Sequence, residues 1–260
     1  MTFSVDQFRL AGKVAVVTGA GGRGNSIGRA YAFGLANAGA AVVIADINAV
    51  GAKTVSDEIV AAGGKAIAVG VDITKPDSVA QMVKAATDAF GGIDILVNNA
   101  ALMVEVAGAT VDIPIPEWNR IMEVNLTGAL ICAQAVIPVM RQRGGGKIVN
   151  QISGGAFPAT SVYGVSKLAL VGLTTMLARS LGRDKINVNA IAPGNTMSDA
   201  GRQLTPDDSP FVKFLEMTVA MRARGQPDEL VGTLLLLCSQ AGDWITGQVI
   251  HVDGGWILRP

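Results

Sequence analysis

KVAVVTGAGGRGNSIG, residues 13–28, decides the fold. The run KVAVVT at its start is continuously apolar after the lysine, which reads as a strand covered on both faces, as in a parallel sheet. The strand ends in Thr18-Gly19 and passes through a glycine-rich turn into a helix beginning near Ser26. That turn delivers a helix amino terminus to the sheet edge, where backbone N–H groups and the positive helix end favour a pyrophosphate. Ordinary turns also use glycine to reach positive φ, so the position after a first strand is what gives the loop meaning.

Working outward, further short Val/Ile/Ala-rich runs follow at 41–46, 65–72, 93–99, 147–153, 186–192 and 248–253. Helical patterns lie between them at about 26–38, 49–62, 76–90, 117–142, 161–182 and 227–239. This alternation predicts a single-domain α/β fold, a Rossmann-like doubly wound parallel sheet of about seven strands with helices on both faces. No Ser/Pro-rich linker, charge block or repeat divides the chain, so one domain is expected over 1–260. The least regular stretch, 194–226, ends in the short amphipathic segment FVKFLEMTVAM and is expected to be a substrate loop.

Composition narrows the function classes. Half of the 260 residues are hydrophobic and 16% are charged, enough for a large core. Lys+Arg and Asp+Glu are both 21, so no basic field exists to gather nucleic-acid phosphates. The amino terminus carries Asp6 and Arg9 where a signal peptide needs an apolar run, and the apolar stretch 128–140 falls short of the roughly 20 residues of a membrane span. A cytoplasmic protein with no membrane partner is expected. Cys132 and Cys238 lack any CxxC companion and read as buried thiols, and the single histidine, His251, reads as structural in a late strand.

Three features carry chemistry. Asp46 closes the second strand, where a carboxylate can accept hydrogen bonds from ribose hydroxyls and repel a 2′-phosphate; it could equally be a turn aspartate capping the next helix. Asp72, ending the third strand, is likewise a helix cap or an adenine contact. Tyr163 and Lys167 are four residues apart and share one helix face. A tyrosine titrates near pH 10, so bringing it toward 7 takes about 4 kcal/mol of preferential phenolate stabilisation. A neighbouring cation can supply this, although the same spacing also describes an ordinary surface pair.

With TGAGGRGNSIG, Asp72, NNAA at 98–101, Asn125 in VNLTGA, Ser153 in VNQIS, YGVSK, NAIAPG at 189–194 and ITGQVIHVDGG in order, the chain resembles the short-chain dehydrogenase/reductase family over essentially its whole length. The resemblance implies that Tyr163 is the general acid/base, and that Lys167 binds the nicotinamide ribose and lowers the tyrosine pKa. It further implies that Ser153 hydrogen-bonds the substrate oxygen, and that Asn125 holds a water in the proton relay. Gly19, Gly21, Arg23, Ser26, Ile27, Asp46, Asp72, Ile73, Asn99 and Ala100 would contact the coenzyme, with Pro193, Gly194, Thr196 and Ser198 bordering the nicotinamide beside Ile191. Asn98 would support the sheet and the coenzyme pocket. The chain departs from the common pattern in a glycine loop about three residues longer and a Ser153–Tyr163 segment about three residues shorter. Ser26, Ala101 and Ser198 also stand where glycine, glycine and threonine are common.

The expected protein is an NAD-dependent oxidoreductase interconverting a secondary alcohol and a ketone, assembled as a homotetramer through the apolar stretches 117–142 and 161–182 and the C-terminal tail. An NADPH-dependent 3-oxoacyl-carrier-protein reductase and a non-catalytic nucleotide-binding scaffold are the competing readings. Met103, Trp118, Phe157 and Pro158, together with Met197, Phe211, Phe214, Leu215 and Met217, suggest a pocket for an uncharged ketone. Arg202 or Lys213 would serve instead if the substrate were anionic.

Overall fold

Every residue of Val14–Thr18, β1, is buried, as continuous apolar character demands of a strand covered on both faces. The computed structural model describes residues 4–22, 24–103, 110–204 and 206–258. The remaining strands are β2 (Ala41–Asp46), β3 (Lys65–Gly70), β4 (Ile95–Asn98), β5 (Gly146–Gln151), β6 (Ile186–Pro193) and β7 (Val249–Val252). All pair in parallel in the order β3-β2-β1-β4-β5-β6-β7.

The helices are α1 (Ile27–Asn37), α2 (Ala49–Ala61), α3 (Pro76–Phe90), α4 (Ile115–Met122), α5 (Gly128–Gln142), α6 (Val162–Leu181), α7 (Asp199–Leu204), α8 (Pro210–Thr218) and α9 (Val231–Cys238). Tyr31 and Leu35 of α1, Val55 and Ile59 of α2 and Leu234 of α9 form the core on one face of the sheet. Met82 of α3, Cys132, Val136 and Met140 of α5 and Leu173 of α6 form it on the other. The doubly wound sheet expected from the sequence is therefore present. Both cysteines are buried free thiols.

The order reverses between β1 and β4, which opens a crevice at their carboxyl ends. Thr18 Oγ1 accepts from the N–H groups of Asn99 and Ala100 at 3.1 Å each, and Asn99 Nδ2 donates to the Thr18 and Gly19 carbonyls at 2.9 Å each. Both walls of the crevice are thus fixed to each other.

Two stretches differ from expectation. The helix expected at 117–142 begins earlier, because Pro116 suits a first turn whose N–H groups lack partners anyway. It is also interrupted at Glu123–Thr127 by one π-helical turn between α4 and α5. By length and composition alone the continuous run Ile115–Gln142 could cross a membrane. Here α5 instead buries Cys132, Ala133, Val136 and Met140 against the sheet. The loop expected at 194–226 carries two short helices, α7 and α8, the second capped by Ser209, whose hydroxyl accepts from Val212 N at 3.2 Å. Its ends are joined: Met197 N donates to Gly225 O at 2.8 Å and Gly225 N to Asn195 O at 3.1 Å.

Candidate active site

The glycine loop lies flush on the sheet because side chains would not fit. A Cβ on Gly19, which has φ +67°, would fall 2.6 Å from Ala100 Cα; one on Gly21 would fall 2.8 Å from Asp46 Cβ. Ser26 caps α1 by accepting from Arg29 N at 3.3 Å. Asp46 accepts from Gly21 N at 2.7 Å and from Asn48 N at 2.8 Å, so it ties the loop to the end of β2 and also makes the local turn contact. A carboxylate can accept about four hydrogen bonds, which leaves capacity for ribose hydroxyls. Arg23 lies outside the described residues.

Asp72 makes the local contact: its Oδ1 accepts from Thr74 N at 2.9 Å and Thr74 Oγ1 at 2.7 Å, and these bonds hold its carboxyl below the usual range. Ile73 is buried, with its side chain where a Gly128 Cβ would be. Asn98, next to the crevice, donates to Asn150 Oδ1 at 2.9 Å and so joins β4 to β5.

Tyr163 and Lys167 lie one turn apart on α6, whose start is capped by Ser161 accepting from Gly164 N at 3.1 Å. Lys167 is 1% exposed, with Nζ 5.6 Å from the Tyr163 ring centroid and donating to the Gln151 carbonyl at 2.8 Å. A surface pair is ruled out. Burial pushes the Lys167 ammonium down to about 7 and the Tyr163 phenol up to about 12, with a hydrogen bond to Ser153 pulling the phenol the other way. Burial thus favours the neutral phenol, opposite in direction to the lowering that a neighbouring cation would bring. Ser153 Oγ accepts from Gly155 N at 3.1 Å.

Asn125, 1% exposed, is presented by the π-helical turn. Its Oδ1 accepts from Leu102 N at 2.7 Å, while Nδ2 donates to Leu102 O and to Ser166 Oγ, both at 3.0 Å. Its side chain is thus committed to holding the segment after β4 against α6.

Ser153 and Tyr163 open on a cavity of about 230 Å³ that Ile27, Pro193, Gly194, Thr196 and Ser198 also line. Thr196 Oγ1 donates to Gly194 O at 3.1 Å, and Ser198 Oγ accepts from Gly201 N at 3.0 Å, so both hydroxyls already make local contacts. Of the suggested pocket residues the cavity wall includes Met103 and Leu215. Phe157 stacks on half-buried His251 at 4.8 Å, and Phe214 and Met217 are exposed. Pro158, Trp118, Arg202 and Lys213 are not among the wall residues. The side chain of Phe211 lies outside the described residues.

Five wall residues were not singled out from the sequence: Gln151, Ile152, Asn195, Gly201 and Trp256. Trp256 follows two glycines at φ +63° and +81°, and its ring fills the space where a Gly154 side chain would be. The signal was DGGW, a tight reversal in place of a straight tail. Asp253 fixes that reversal by accepting from Gly255 N and Ile257 N at 2.9 Å each. The Gln151 amide oxygen is buried with no hydrogen-bond partner among the described residues. Together with the backbone cradle at Gly19 and Gly21, these features fit a nicotinamide dinucleotide laid from the glycine loop to Tyr163.

The family model described as enoyl-(acyl carrier protein) reductase matches residues 22–257. An uncharacterised oxidoreductase of Mycobacterium tuberculosis is 48% identical over 251 residues, covering 95% of this chain and 98% of that protein. A solved 7α-hydroxysteroid dehydrogenase, complexed with NADH and 7-oxo glycochenodeoxycholic acid, superposes with a TM-score of 0.90 at 36% identity over 99% of both chains. A gluconate 5-dehydrogenase from Burkholderia cenocepacia, in complex with NADP and tartrate, gives 0.90 at 35% identity over 96% of this chain and 97% of the other. Sheet order, the Ser153–Tyr163–Lys167 arrangement and these likenesses agree, and the chain belongs to the short-chain dehydrogenase/reductase family of oxidoreductases.

Proposed function

We propose that this oxidoreductase uses NAD(H) to interconvert a secondary alcohol and a ketone. The observation that carries the reading is that Ser153 and Tyr163 share the wall of one cavity that also reaches the glycine-loop helix at Ile27. Ser153 and Tyr163 would both hydrogen-bond the substrate oxygen, and the Tyr163 hydroxyl would move its proton. Lys167, fixed by the Gln151 carbonyl, would orient behind Tyr163 and meet the nicotinamide ribose. Asn125 would hold the far side of the site through Leu102 and Ser166. The nicotinamide, when bound, supplies the hydride chemistry.

Coenzyme choice rests on Asp46. A unit charge pair about 4 Å apart costs about 1 kcal/mol in water and about 4 at the effective dielectric of a protein surface, so a 2′-phosphate beside this carboxylate is disfavoured roughly 5- to 1000-fold. Solved relatives include complexes with NADH and with NADP, so family membership alone does not fix the choice. The substrate is proposed to be uncharged and largely apolar, because Met103, Leu215 and Trp256 form the outer wall. A homotetramer in the cytoplasm completes the reading, supported by β7, half-exposed along its length, and by Leu168 and Met176 exposed on α6.

A panel of secondary alcohols and ketones, assayed with each coenzyme by nicotinamide absorbance, tests the proposal. NAD(H)-dependent turnover is expected for apolar members, and Asp46→Ala should raise NADP(H) efficiency while weakening NAD(H). A wild-type preference for NADPH, or a coenzyme ratio unmoved by Asp46→Ala, overturns the assignment of Asp46.

A further inference from the structure

The lengthening of the glycine loop has no part in the scheme above, yet residues at the end of that loop make specific contacts far along the chain. Asn25 N donates to Asp199 Oδ2 at 3.0 Å, and Asp199 N donates back to Asn25 O at 2.9 Å. Asn25 Nδ2 donates to Met197 O at 2.8 Å and to Gln226 Oε1 at 3.3 Å. Gly24 packs so closely that a Cβ there would lie 2.2 Å from Asp199 Oδ2. Four hydrogen bonds therefore join the residue before the α1 cap to both ends of the 194–226 segment.

That segment is internally braced. The bonds between Met197, Gly225 and Asn195 close its base. Arg224, with its side chain 3% exposed, donates from Nε to Asn195 Oδ1 at 2.9 Å and pairs with Asp207, between α7 and α8. A braced segment attached at Asn25 transmits a shift of the glycine loop to Gly201 and Leu215, which it contributes to the wall facing Tyr163.

We propose that Asn25 and Asp199 are positioning residues that fasten the substrate lid to the coenzyme's pyrophosphate loop, so that coenzyme occupancy sets the position of the wall opposite Tyr163. This rests on the nicotinamide reading. Coupling of this kind is reciprocal for binding: coenzyme tightens substrate, and substrate tightens coenzyme, by the same factor.

The test is backbone hydrogen exchange over 199–218 in the whole protein, with and without saturating NADH, in wild type, Asn25→Ala/Asp199→Ala and Asp199→Asn. Wild type should show exchange across the lid slowed by about 5- to 100-fold on NADH binding, the range of ordinary site-to-site coupling. The double variant should still bind NADH, seen by its fluorescence, but lose the lid protection and raise KM more than it lowers kcat. Asp199→Asn keeps a side-chain acceptor for Asn25 N and should recover most of the protection. Lid protection in the double variant equal to wild type, or none in a wild type that binds NADH, overturns the fastening. A wild type that binds neither NADH nor NADPH overturns the nicotinamide reading beneath it.

Discussion

Tyr163 and Lys167 show how burial sets residue chemistry. Tyr163→Phe keeps the ring's packing and removes the transferable proton. Turnover should fall by about 10²- to 10⁴-fold while NADH binding, followed by fluorescence, is nearly kept. Lys167 makes a separate prediction about stability. Its folded pKa, about 7, lies below that of a free lysine, so between about pH 7 and 10 the unfolded chain holds a proton that the folded chain has released. Stability should rise with pH across that window, by at most about 1.4 kcal/mol per pH unit, and the contribution should be flat below it, where both states are charged. Tyr163 acts in the opposite sense above pH 10, where the unfolded phenol ionises first. Urea unfolding of Lys167→Met from pH 7 to 9.5 should show the rise abolished; an unchanged slope would contradict a buried, readily deprotonated ammonium.

At the scale of elements, the π-helical turn between α4 and α5 is where a local irregularity serves the site. A regular helix through Glu123–Thr127 would rotate Asn125 by part of a turn away from Leu102 and Ser166. Asn125→Ala would leave the part-buried Leu102 N–H and carbonyl short of a partner, at about 1–3 kcal/mol for each buried group left unsatisfied, while the Ser166 hydroxyl keeps its bond to the Tyr163 carbonyl. Denaturant unfolding should report a loss of about 2–4 kcal/mol together with reduced turnover. A variant as stable as wild type would mean that water replaces the amide. The reversal after β7 makes a different prediction. Trp256→Ala should enlarge the cavity beside Gly154 and shift kcat/KM toward bulkier ketones, with NADH binding unchanged; an unaltered substrate profile would remove Trp256 from the specificity wall.

For the whole molecule, the faces that the monomer leaves apolar are the informative ones. Leu168 and Met176 stand outward on α6, and β7 ends the sheet with unpaired edge groups, which proteins rarely leave open. Closed symmetry through these two surfaces would give the proposed tetramer. Light scattering at micromolar concentration should report four chains, and charged substitutions at Leu168 and Met176 should lower that number. A wild-type monomer would contradict the assembly.

The sequence by itself determined the sheet and the chemistry-bearing turns. KVAVVT, AVVIAD and their successors are short, continuously apolar runs between longer helical patterns, and such periodicity is local. YGVSK likewise places a phenol and an ammonium on one helix face whatever surrounds the helix. Only the tertiary structure decided what depends on contacts between distant segments. It buried Lys167 and turned its ammonium to the Gln151 carbonyl. It spent the Asn125 side chain on Leu102 and Ser166, packed Ile73 into the core, and folded Trp256 back over Gly154. It also joined Asn25 to Asp199, 174 residues away. Local backbone preference is written residue by residue, whereas desolvation and long-range hydrogen bonding exist only once the chain has closed on itself.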